Sequence, residues 1–455
     1  MQTGAQNSLH TDEPKGHAEG EARGVTEEAQ GRITSTEAQS TEALMEEVLA
    51  RENLLQALKR VLSNRGAAGA DGMEIEELKP YLREHWPRIK AQLLAGSYEP
   101  QPVRGVEIPK AGGGKRQLGI PGVVDRLIQQ ALLQVLQARW DGSFSESSYG
   151  FRPGRSAHQA LKAAKGYVQE GRRIVVDVDL EKFFDRVNHD ILMGRVAKRV
   201  ADVRVRKLIR GYLNAGMMLD GVVVERREGT PQGGPLSPLL ANLLLDEVDR
   251  ELERRGHRFV RYADDCNIYV KSVRAGERVK EQFTKLVGGL KLKVNEAKSA
   301  VAPVEERQFL GYRLVPGERG TQLVVAPKAQ ARLRKEVRRR TRRSSSRALP
   351  EVIEELTRYL RGWAGYFRLA RDGPYWRRSA GWVGHRIRAM LLKQWRTSSH
   401  AYRQARRLGA SEHMARAVAH HRRRWWYTSG HAMNAVVRRA HLSSWGLYDL
   451  AQHAQ

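Results

Sequence analysis

Two stretches rich in β-forming residues also carry carboxylates, and this combination restricts the fold more than any other feature of the sequence. The first stretch, RIVVDVDL, contains Asp179, and the second, RYADDCNIYV, contains Asp264 and Asp265. Short runs of Val, Ile, Tyr and Phe are typical of strands. We therefore expect a strand over residues 173–180 and a hairpin over residues 257–271, with the two adjacent aspartates at its tip.

Carboxylates at strand ends are costly to hold together unless a cation neutralises them. Two or three carboxylates, completed by substrate phosphates, make a typical Mg²⁺ site. Two such ions, about 3.5–4 Å apart, can activate a 3′-hydroxyl and stabilise a leaving pyrophosphate. A pair of adjacent aspartates is by itself most often a solvated turn, so the dipeptide alone is weak support for catalysis.

The remaining periodicities predict an α+β chain that ends in helices. A glycine-rich turn within residues 102–121 predicts a second hairpin, and strands are expected at 222–226 and 308–315. From residue 328 onward the pattern is almost wholly helical. Apolar residues at helical spacing predict helices over residues 44–64, 123–138, 156–170, 188–213, 236–254 and 274–290.

The positive charge of the chain is unevenly distributed. Its 455 residues include 79 Lys and Arg against 51 Asp and Glu, a net charge of +28, which points to a polyanionic partner. Residues 1–43 hold three basic and eight acidic residues, which is typical of a disordered leader. Residues 327–455 hold 29 basic and seven acidic residues and seven of the nine tryptophans. This end suits RNA, although the tryptophans could equally fill a helical core beneath a solvated basic face.

The composition also excludes several classes of protein. The single cysteine, Cys266, cannot form an internal disulfide or a multi-cysteine zinc site, and it favours a reducing, cytosolic setting. No stretch approaches the roughly 20 apolar residues of a membrane span, and no signal-peptide pattern opens the chain. We therefore expect no membrane association.

Five motifs together resemble the reverse transcriptases encoded within bacterial group II introns. They are IPKAGGGKRQLGIP, SYGFRPGRSAHQAL, DLEKFFD, TPQGGPLSP and YADD, and the resemblance runs from about residue 60 to the C-terminus. It implies a right-hand polymerase fold, with fingers and palm followed by an all-helical thumb. The segments expected on this basis are an acidic leader (1–43), an N-terminal extension and fingers (44–172), a palm with YADD (173–326), a thumb or maturase domain (327–400) and a basic DNA-binding-like segment (401–455).

The resemblance assigns the catalytic centre. Asp179 and Asp264 match the family's ligands for two Mg²⁺ ions, and the carbonyl of Leu180 matches a backbone ligand. Asp265 matches the second aspartate of the tetrapeptide, which supports metal binding and catalysis.

Nucleotide-binding residues are assigned in the same way. Phe184 matches the ring that blocks a ribose 2′-hydroxyl. It could instead be a core residue, with Phe183 as the ring beside the ribose. Because neighbouring residues of a strand face opposite ways, one of the two rings should face the nucleotide and the other the core. Gln232 matches a residue of the nucleotide and template pocket. Lys110 and Arg116 flank the glycine-rich turn and could grip a triphosphate, or belong to a solvated basic hairpin tip.

Several cations are candidates for contact with RNA or with the template. Arg126, Arg152 and Arg155 are candidates for the template backbone, although capping and surface roles are equally plausible, and Lys298 matches a lysine of the palm.

Residues 349–369 resemble the maturase domain of intron-encoded proteins. There the arginines Arg358, Arg361 and Arg368 are expected to contact RNA, whereas the aromatic stripe beside them could be thumb core or RNA contact. Many relatives carry a further endonuclease domain with paired cysteines. The single cysteine predicts that this domain is absent. Insertion of the intron into DNA would then need another source of primer for DNA synthesis, such as a nascent strand at a replication fork.

The favoured hypothesis is an RNA-directed DNA polymerase that also binds its host group II intron RNA, assists splicing and supports retrohoming by target-primed reverse transcription. Its expected partners are intron RNA, target and primer DNA and deoxynucleoside triphosphates (dNTPs), a homodimer being left open. The expected location is the bacterial cytoplasm, with association to the nucleoid during action on DNA. One alternative is a splicing maturase that only binds RNA. Another is a reverse transcriptase recruited to phage defence, which would lack the maturase-like segment.

Overall fold

The computed structural model describes residues 43–109, 114–219, 221–318, 320–344 and 346–454. The predicted leader therefore lies outside the described residues except for Ala43, and so does Lys110. The helices are α1 Leu44–Val48, α2 Arg51–Asn64, α3 Leu78–Ala95, α4 Val123–Trp140, α5 Ala157–Gln169, α6 His189–Ala197, α7 Val203–Asn214, α8 Ser237–Arg254, α9 Val273–Gly289, α10 Pro327–Arg340, α11 Leu349–Tyr366, α12 Gly373–Gln394, α13 Ser398–Arg407, α14 Glu412–His420, α15 Trp425–Gly430, α16 Ala432–Val436 and α17 Arg439–Ser444. The strands are β1 Val103–Pro109, β2 Lys115–Ile120, β3 Ile174–Val178, β4 Met217–Leu219, β5 Val222–Val224, β6 Arg258–Tyr262, β7 Asp265–Val270, β8 Ala300–Pro303, β9 Tyr312–Gly317 and β10 Gly320–Val325.

The chain divides into two units. The first contains the described residues up to Phe144 together with Lys182–Leu245 and Leu290–Leu292, and the second contains Ser145–Glu181, Asp246–Gly289 and the described residues from Lys293 onward. Both units are assembled from separate stretches of the sequence. The segment boundaries expected after residues 172, 326 and 400 therefore stay predictions.

In the first unit, α4 is the central helix. Twelve of its eighteen residues are buried, including the polar Asp125, which accepts hydrogen bonds from the Tyr98 hydroxyl (2.9 Å) and the Gln101 amide (3.0 Å). A four-stranded sheet in the order β2-β1-β4-β5 completes this unit. Strands β1 and β2 pair antiparallel, which confirms the hairpin predicted over residues 102–121.

The second unit contains an antiparallel sheet in the order β6-β7-β3-β8. The core behind this sheet is continuous with the core of the C-terminal helices. It runs from Val175 and Tyr269 in the sheet through Tyr312 in β9 to Trp363 in α11 and Trp376 in α12. The α+β fold class, a mixed body followed by helices, is thus confirmed.

Three predicted elements differ from the structure. The helix expected over residues 188–213 is two helices, α6 and α7, because Asp202 caps α7 by accepting hydrogen bonds from its first amides. The helix expected over residues 44–64 breaks where Ala50 adopts an extended ψ of 138°. The strand expected over residues 308–315 begins only at Tyr312, since Leu310 and Gly311 have positive φ angles, and it pairs with β10, which was not predicted.

Among the helices in the described part of the chain, none has the length and apolar character needed to cross a bilayer.

One glycine of the GFRPGR motif lies against the turn that carries the two adjacent aspartates. A Cβ atom on Gly150 would lie only 2.2 Å from the backbone nitrogen of Ala263. Backbone atoms cannot give way as a flexible side chain can, so only glycine allows this approach.

We therefore expect Gly150→Ala to lower the free energy of unfolding by about 1–3 kcal/mol, because the added methyl group overpacks the turn. Gly166→Ala is the matched control: Gly166 lies within α5, and nothing stands within 4 Å of a Cβ placed there. The free energy of unfolding of this control should rise by about 0.5–1 kcal/mol, since alanine favours a helix more than glycine does. Urea unfolding of both variants tests the prediction, and equal midpoints would contradict it.

Candidate active site

The β6–β7 hairpin presents the adjacent aspartates. Tyr262 pairs with Asp265 across the hairpin, which leaves Ala263 and Asp264 as a two-residue turn. Ala263 has a φ of 61°, in the left-handed region that such tight turns require. The predicted hairpin is confirmed with Ala263 and Asp264 at its tip, whereas Asp265 begins β7.

A buried ion pair holds this turn from behind. The Nε atom of Arg261 lies 2.8 Å from Oδ1 of Asp249 in α8, and both side chains are almost fully buried. The same guanidinium donates to the carbonyl oxygen of Ala263 at 2.9 Å. Removal of one partner from such a pair typically costs about 3–5 kcal/mol. The pair therefore fixes the backbone from which Asp264 projects, and sequence reasoning did not identify it.

The register of the sheet brings further carboxylates to the same face. Asp177 in β3 lies opposite Asn267 in β7, so Asp177 shares a face with Asp265, two residues before Asn267. Asp179 follows two residues after Asp177 and continues that face. Of the three carboxylates predicted from sequence, the register thus places Asp179 and Asp265 on one face together with Asp177, while Asp264 lies in the adjoining turn.

The convergence of these carboxylates perturbs the protonation of Asp265. Displacement of water by the surrounding protein, and then the negative charges of Asp264, Asp179 and Asp177, raise the pKa of Asp265 to about 7. Because the residue is exposed at the surface of its unit, we attribute the rise mainly to the neighbouring charges. The site therefore carries an excess of negative charge.

Two cations partly neutralise this charge. The Nζ atom of Lys298 lies 2.9 Å from Oδ2 of Asp179, so Lys298 is paired with a catalytic-site carboxylate here, and its predicted contact with RNA or template stays a prediction. Arg307 donates from Nε to Oδ2 of Asp177 at 2.8 Å and from Nη2 to the carbonyl oxygen of Lys298 at 2.6 Å. Arg307 thus connects the loop of Lys298 to β3. Neither Arg307 nor Asp177 was identified from the sequence.

The backbone at the end of β3 is also fixed. The Asp179 amide donates to the hydroxyl of Ser299 at 3.0 Å, and the Asp179 carbonyl accepts from the Asn295 amide at 2.8 Å. Two residues further on, the Glu181 amide donates to the carbonyl oxygen of Lys293 at 2.8 Å. The carbonyl of Leu180 stands between these two bonds, where it remains a suitable backbone ligand.

The donor set fits a divalent cation. Carboxylate and carbonyl oxygens are hard ligands suited to Mg²⁺, and the raised pKa of Asp265 reflects repulsion that such a cation would relieve. Within the described ranges, no three or more His, Cys, Asp or Glu side chains are grouped as a metal-binding cluster. Substrate phosphate oxygens or water would therefore have to complete the coordination.

The predicted nucleotide residues that the structure describes lie in the first unit. Arg116 in β2 donates from Nε to Oε1 of Gln232 at 2.5 Å, so these two residues are brought together. Phe183 and Phe184 form a short 3₁₀ turn rather than a strand, and both are buried, with ring centroids 5.1 Å apart. The argument that alternate strand residues face opposite ways was therefore wrong. The role of Phe184 stays a prediction.

The predicted template arginines have internal partners. Arg126 is buried and donates to the carbonyl oxygen of Ala67 at 2.6 Å. Arg152 is also buried and donates to the carbonyl oxygen of Ser145 at 2.6 Å. Arg155 forms an ion pair with Glu146. These contacts favour the structural roles that the sequence left open, and contact with a template stays a prediction for all three.

The predicted RNA-binding arginines of α11 and its C-terminal flank are exposed. Arg358 pairs with Glu354 one helical turn away, a surface pair that holds it weakly, and Arg361 and Arg368 also face solvent. In the aromatic stripe, Trp363 and Phe367 are buried with ring centroids 4.6 Å apart. Those two rings therefore belong to the core, while the arginines are available to a ligand.

Comparisons with known proteins identify two domains in the chain. Residues 108–314 match the family model described as reverse transcriptase (RNA-dependent DNA polymerase), and residues 330–409 match the group II intron maturase-specific domain. The chain thus combines the domain of a reverse transcriptase with that of an intron maturase.

Individual relatives support the same classification. Protein YkfC of Escherichia coli is 34% identical over 306 residues, which cover 58% of this chain and 80% of that protein. The group II intron-encoded protein LtrA of Lactococcus lactis is 35% identical over 248 residues, which cover 52% of this chain and 40% of LtrA. A chain of a solved partial Cas6-RT-Cas1–Cas2 complex is 27% identical and covers 54% of this chain and 41% of that one, at a TM-score of 0.36 that does not establish a shared architecture. The chain belongs to the family of group II intron-encoded reverse transcriptases and maturases, which confirms the resemblance.

The raised pKa of Asp265 leads to a prediction about stability. Since its folded-state pKa lies above the ordinary value, the folded state is stabilised at low pH, and this stability is lost as the pH rises toward about 7. In a buffer with EDTA at pH 8, the melting temperature of Asp265→Asn should therefore lie about 2 °C above that of the wild type. This corresponds to a gain of about 1 kcal/mol in the free energy of unfolding, a value reduced to allow for the screening of an exposed charge by solvent. The difference should shrink at pH 5.

The control for this measurement is Asp190→Asn, because the pKa of the exposed Asp190 is instead lowered by its hydrogen bond to Arg210. That variant should show no gain at pH 8. A pH-independent difference for Asp265→Asn, measured by differential scanning fluorimetry, would contradict the prediction.

Proposed function

We propose that this protein is an active RNA-directed DNA polymerase that also binds its host group II intron RNA. The observation that carries the proposal is that the negative charges of Asp264, Asp179 and Asp177 all act on Asp265, so these carboxylates lie near one another. A maturase that only binds RNA has no need of this repulsive cluster, which costs stability. The intact cluster therefore favours catalysis over the alternative of an RNA-binding scaffold.

In the proposed reaction, Asp179, Asp264 and the Leu180 carbonyl would hold two Mg²⁺ ions, and Asp265 would support them. The ions, when bound, activate the primer 3′-hydroxyl and stabilise the leaving pyrophosphate. The chain's own residues position the groups: Arg261 fixes the turn, and Arg307 fixes the loop of Lys298. Arg116 and Gln232 hold the nucleotide, Lys110 assists in gripping its triphosphate, and Phe184 selects deoxyribose.

The maturase-specific domain supports the second half of the proposal. Exposed cations on and beside α11, above all Arg358, Arg361 and Arg368, contact the phosphates of the intron RNA and assist its folding and splicing. Reverse transcription primed at a DNA target then supports retrohoming, with the basic segment 401–455 as a contact for DNA. This activity belongs in the bacterial cytoplasm, at the nucleoid when DNA is the partner. A role in phage defence is disfavoured, because that hypothesis predicted no maturase-like segment.

Catalysis is tested by primer extension on an RNA template with Mg²⁺. Asp264→Asn should reduce cDNA synthesis by at least about 100-fold, because it removes charge at the reacting centre. RNA binding should be retained, since the side chain lies outside the proposed RNA contacts. Asp190→Asn, which removes an exposed carboxylate elsewhere, is the matched control and should keep wild-type activity. Equal activity of wild type and Asp264→Asn would refute the assigned centre.

Intron binding is tested separately by filter binding and by splicing at low Mg²⁺. Replacement of Arg358, Arg361 and Arg368 by glutamine should weaken binding of the cognate intron RNA and reduce its salt dependence by about 0.7 log unit per lost phosphate contact. The control replaces Arg274, Arg278 and Lys285, three exposed cations of α9, by glutamine. Primer extension on a short template should be unchanged in both. If the wild type gave no increase in splicing rate, the maturase half of the proposal would fail.

A further inference from the structure

The C-terminal helices carry two exposed aromatic rings that the polymerase core does not use. Trp426 and Tyr427 are adjacent in α15, and their side chains are 41% and 57% exposed. Large aromatic side chains are normally buried or partnered, so two neighbouring exposed rings indicate a binding surface. Both lie outside the residues that match the reverse transcriptase and maturase domains.

Each ring is backed by a histidine on one side. The ring of His385 stacks on Trp426 at a centroid distance of 3.8 Å and an interplanar angle of 21°, and the ring of His431 stacks on Tyr427 at 4.2 Å and 17°. Each histidine is also held by the backbone, since ring nitrogens of His385 and His431 lie 2.9 and 3.0 Å from the carbonyl oxygens of Trp426 and Tyr427. Both rings are therefore held in place before any ligand arrives, which reduces the entropy cost of binding.

The histidine behind Trp426 is kept neutral. Burial, and then the positive charges of Arg388 and Arg386, lower the pKa of His385, while its hydrogen bond to Trp426 opposes this. At neutral pH, His385 thus supports the indole as a flat, uncharged partner. The charge that attracts a ligand must come from elsewhere.

Arginines supply that charge. Between His413 and Tyr448 the chain has six arginines and no Asp or Glu. Three of the arginines, 422–424, directly precede the rings, and Arg423 and Arg424 are exposed. The guanidinium of Arg343 lies over the ring of the neighbouring Trp425 at 4.7 Å. Arg416 pairs with Glu412 and Arg439 with Asp449, but the excess of positive charge beside flat rings still complements a ligand with both phosphates and planar groups.

We propose that Trp426 and Tyr427 form a stacking site for unpaired bases of a nucleic acid strand. The arginines hold the phosphates of that strand, while each ring offers a face to a base. Because every base has a flat face, the site tolerates many sequences and serves unpaired RNA or unpaired DNA. The proposal rests on the proposed function only in assuming a nucleic-acid partner. It assigns to segment 401–455 the binding of single strands rather than a general affinity for DNA.

The first experiment identifies the contact directly. Twelve-residue oligonucleotides, one of RNA and one of DNA, each with a central 5-iodouracil, are cross-linked by ultraviolet light to the full chain. Excess unlabelled RNA–DNA primer–template duplex is present to occupy the polymerase. Mass spectrometry should find cross-links at Trp426 or Tyr427, and the oligonucleotide that cross-links identifies the source of the strand. Cross-links confined to other residues would overturn the proposal.

The second experiment measures affinity by fluorescence anisotropy under the same conditions. The double variant Trp426→Leu/Tyr427→Leu should bind the single strand about 10-fold or more weakly, because it keeps apolar bulk but loses both rings. The matched variant Trp426→Phe/Tyr427→Phe should stay within about 3-fold of the wild type, since phenyl rings still stack. Binding of a fully paired duplex should not distinguish the two variants. Equal affinity of the leucine and phenylalanine variants for the single strand would overturn the proposal.

Failure of this site can be separated from failure of the proposed function. Primer extension on a short primed template should be the same in both double variants, because the rings lie outside the catalytic centre. If extension persists but the cross-links fall elsewhere, the stacking site is refuted and the polymerase stands. If the wild type shows no extension, the polymerase fails, but the cross-link and the leucine–phenylalanine comparison still decide the stacking site. If the leucine variant unfolds at a lower temperature than the wild type, the cross-linking result on the wild type alone tests the stacking site.

Discussion

The candidate active site of this protein depends on one buried ion pair. Arg261 and Asp249 are removed from water behind the β6–β7 hairpin, and the guanidinium also binds the carbonyl of Ala263. A turn that exposes adjacent carboxylates is opposed by their mutual repulsion, so something must hold its backbone from the protein side. The ion pair does so, and Gly150 allows the neighbouring chain to approach the same turn closely. These backbone contacts therefore fix the turn from which Asp264 projects.

Positive charge is arranged around the site at two different ranges. Lys298 and Arg307 lie within hydrogen-bond distance of Asp179 and Asp177, where they offset negative charge at the centre itself. The charge of Lys328 in α10 also acts on Asp177, whereas exposed charges further than about 10 Å away are largely screened by salt. Residues 327–455 hold 29 basic and seven acidic residues, so most of the net charge of +28 lies there, where it is available to a polyanionic partner.

Local patterns predicted the parts of the fold and site that depend on local chemistry. The strand before Asp179 and the hairpin around Asp264 were predictable because β-forming residues surround each carboxylate. The pairing of Arg307 with Asp177 was not, since 130 residues separate them and only the folded sheet brings them together. Phe184 shows a different limit, because a 3₁₀ turn replaced the expected strand and removed the alternation on which the argument depended. The sequence shows that Trp426 and Tyr427 are aromatic, but it does not show that they are exposed, because exposure depends on which faces of α15 and α16 are packed.

The core that joins the palm sheet to the C-terminal helices constrains how such a protein can diverge. Tyr269, two residues beyond Asn267 in β7, packs in the same core as Trp363 and Trp376 of the helical region. A lineage that no longer needed DNA synthesis could exchange Asp264 without removing a residue of this core, because Asp264 lies in the half-buried turn. It could not discard the sheet beneath it, because the RNA-binding helices would lose the surface on which they pack. Descendants selected only for splicing would thus keep the shape of a polymerase long after its chemistry had gone.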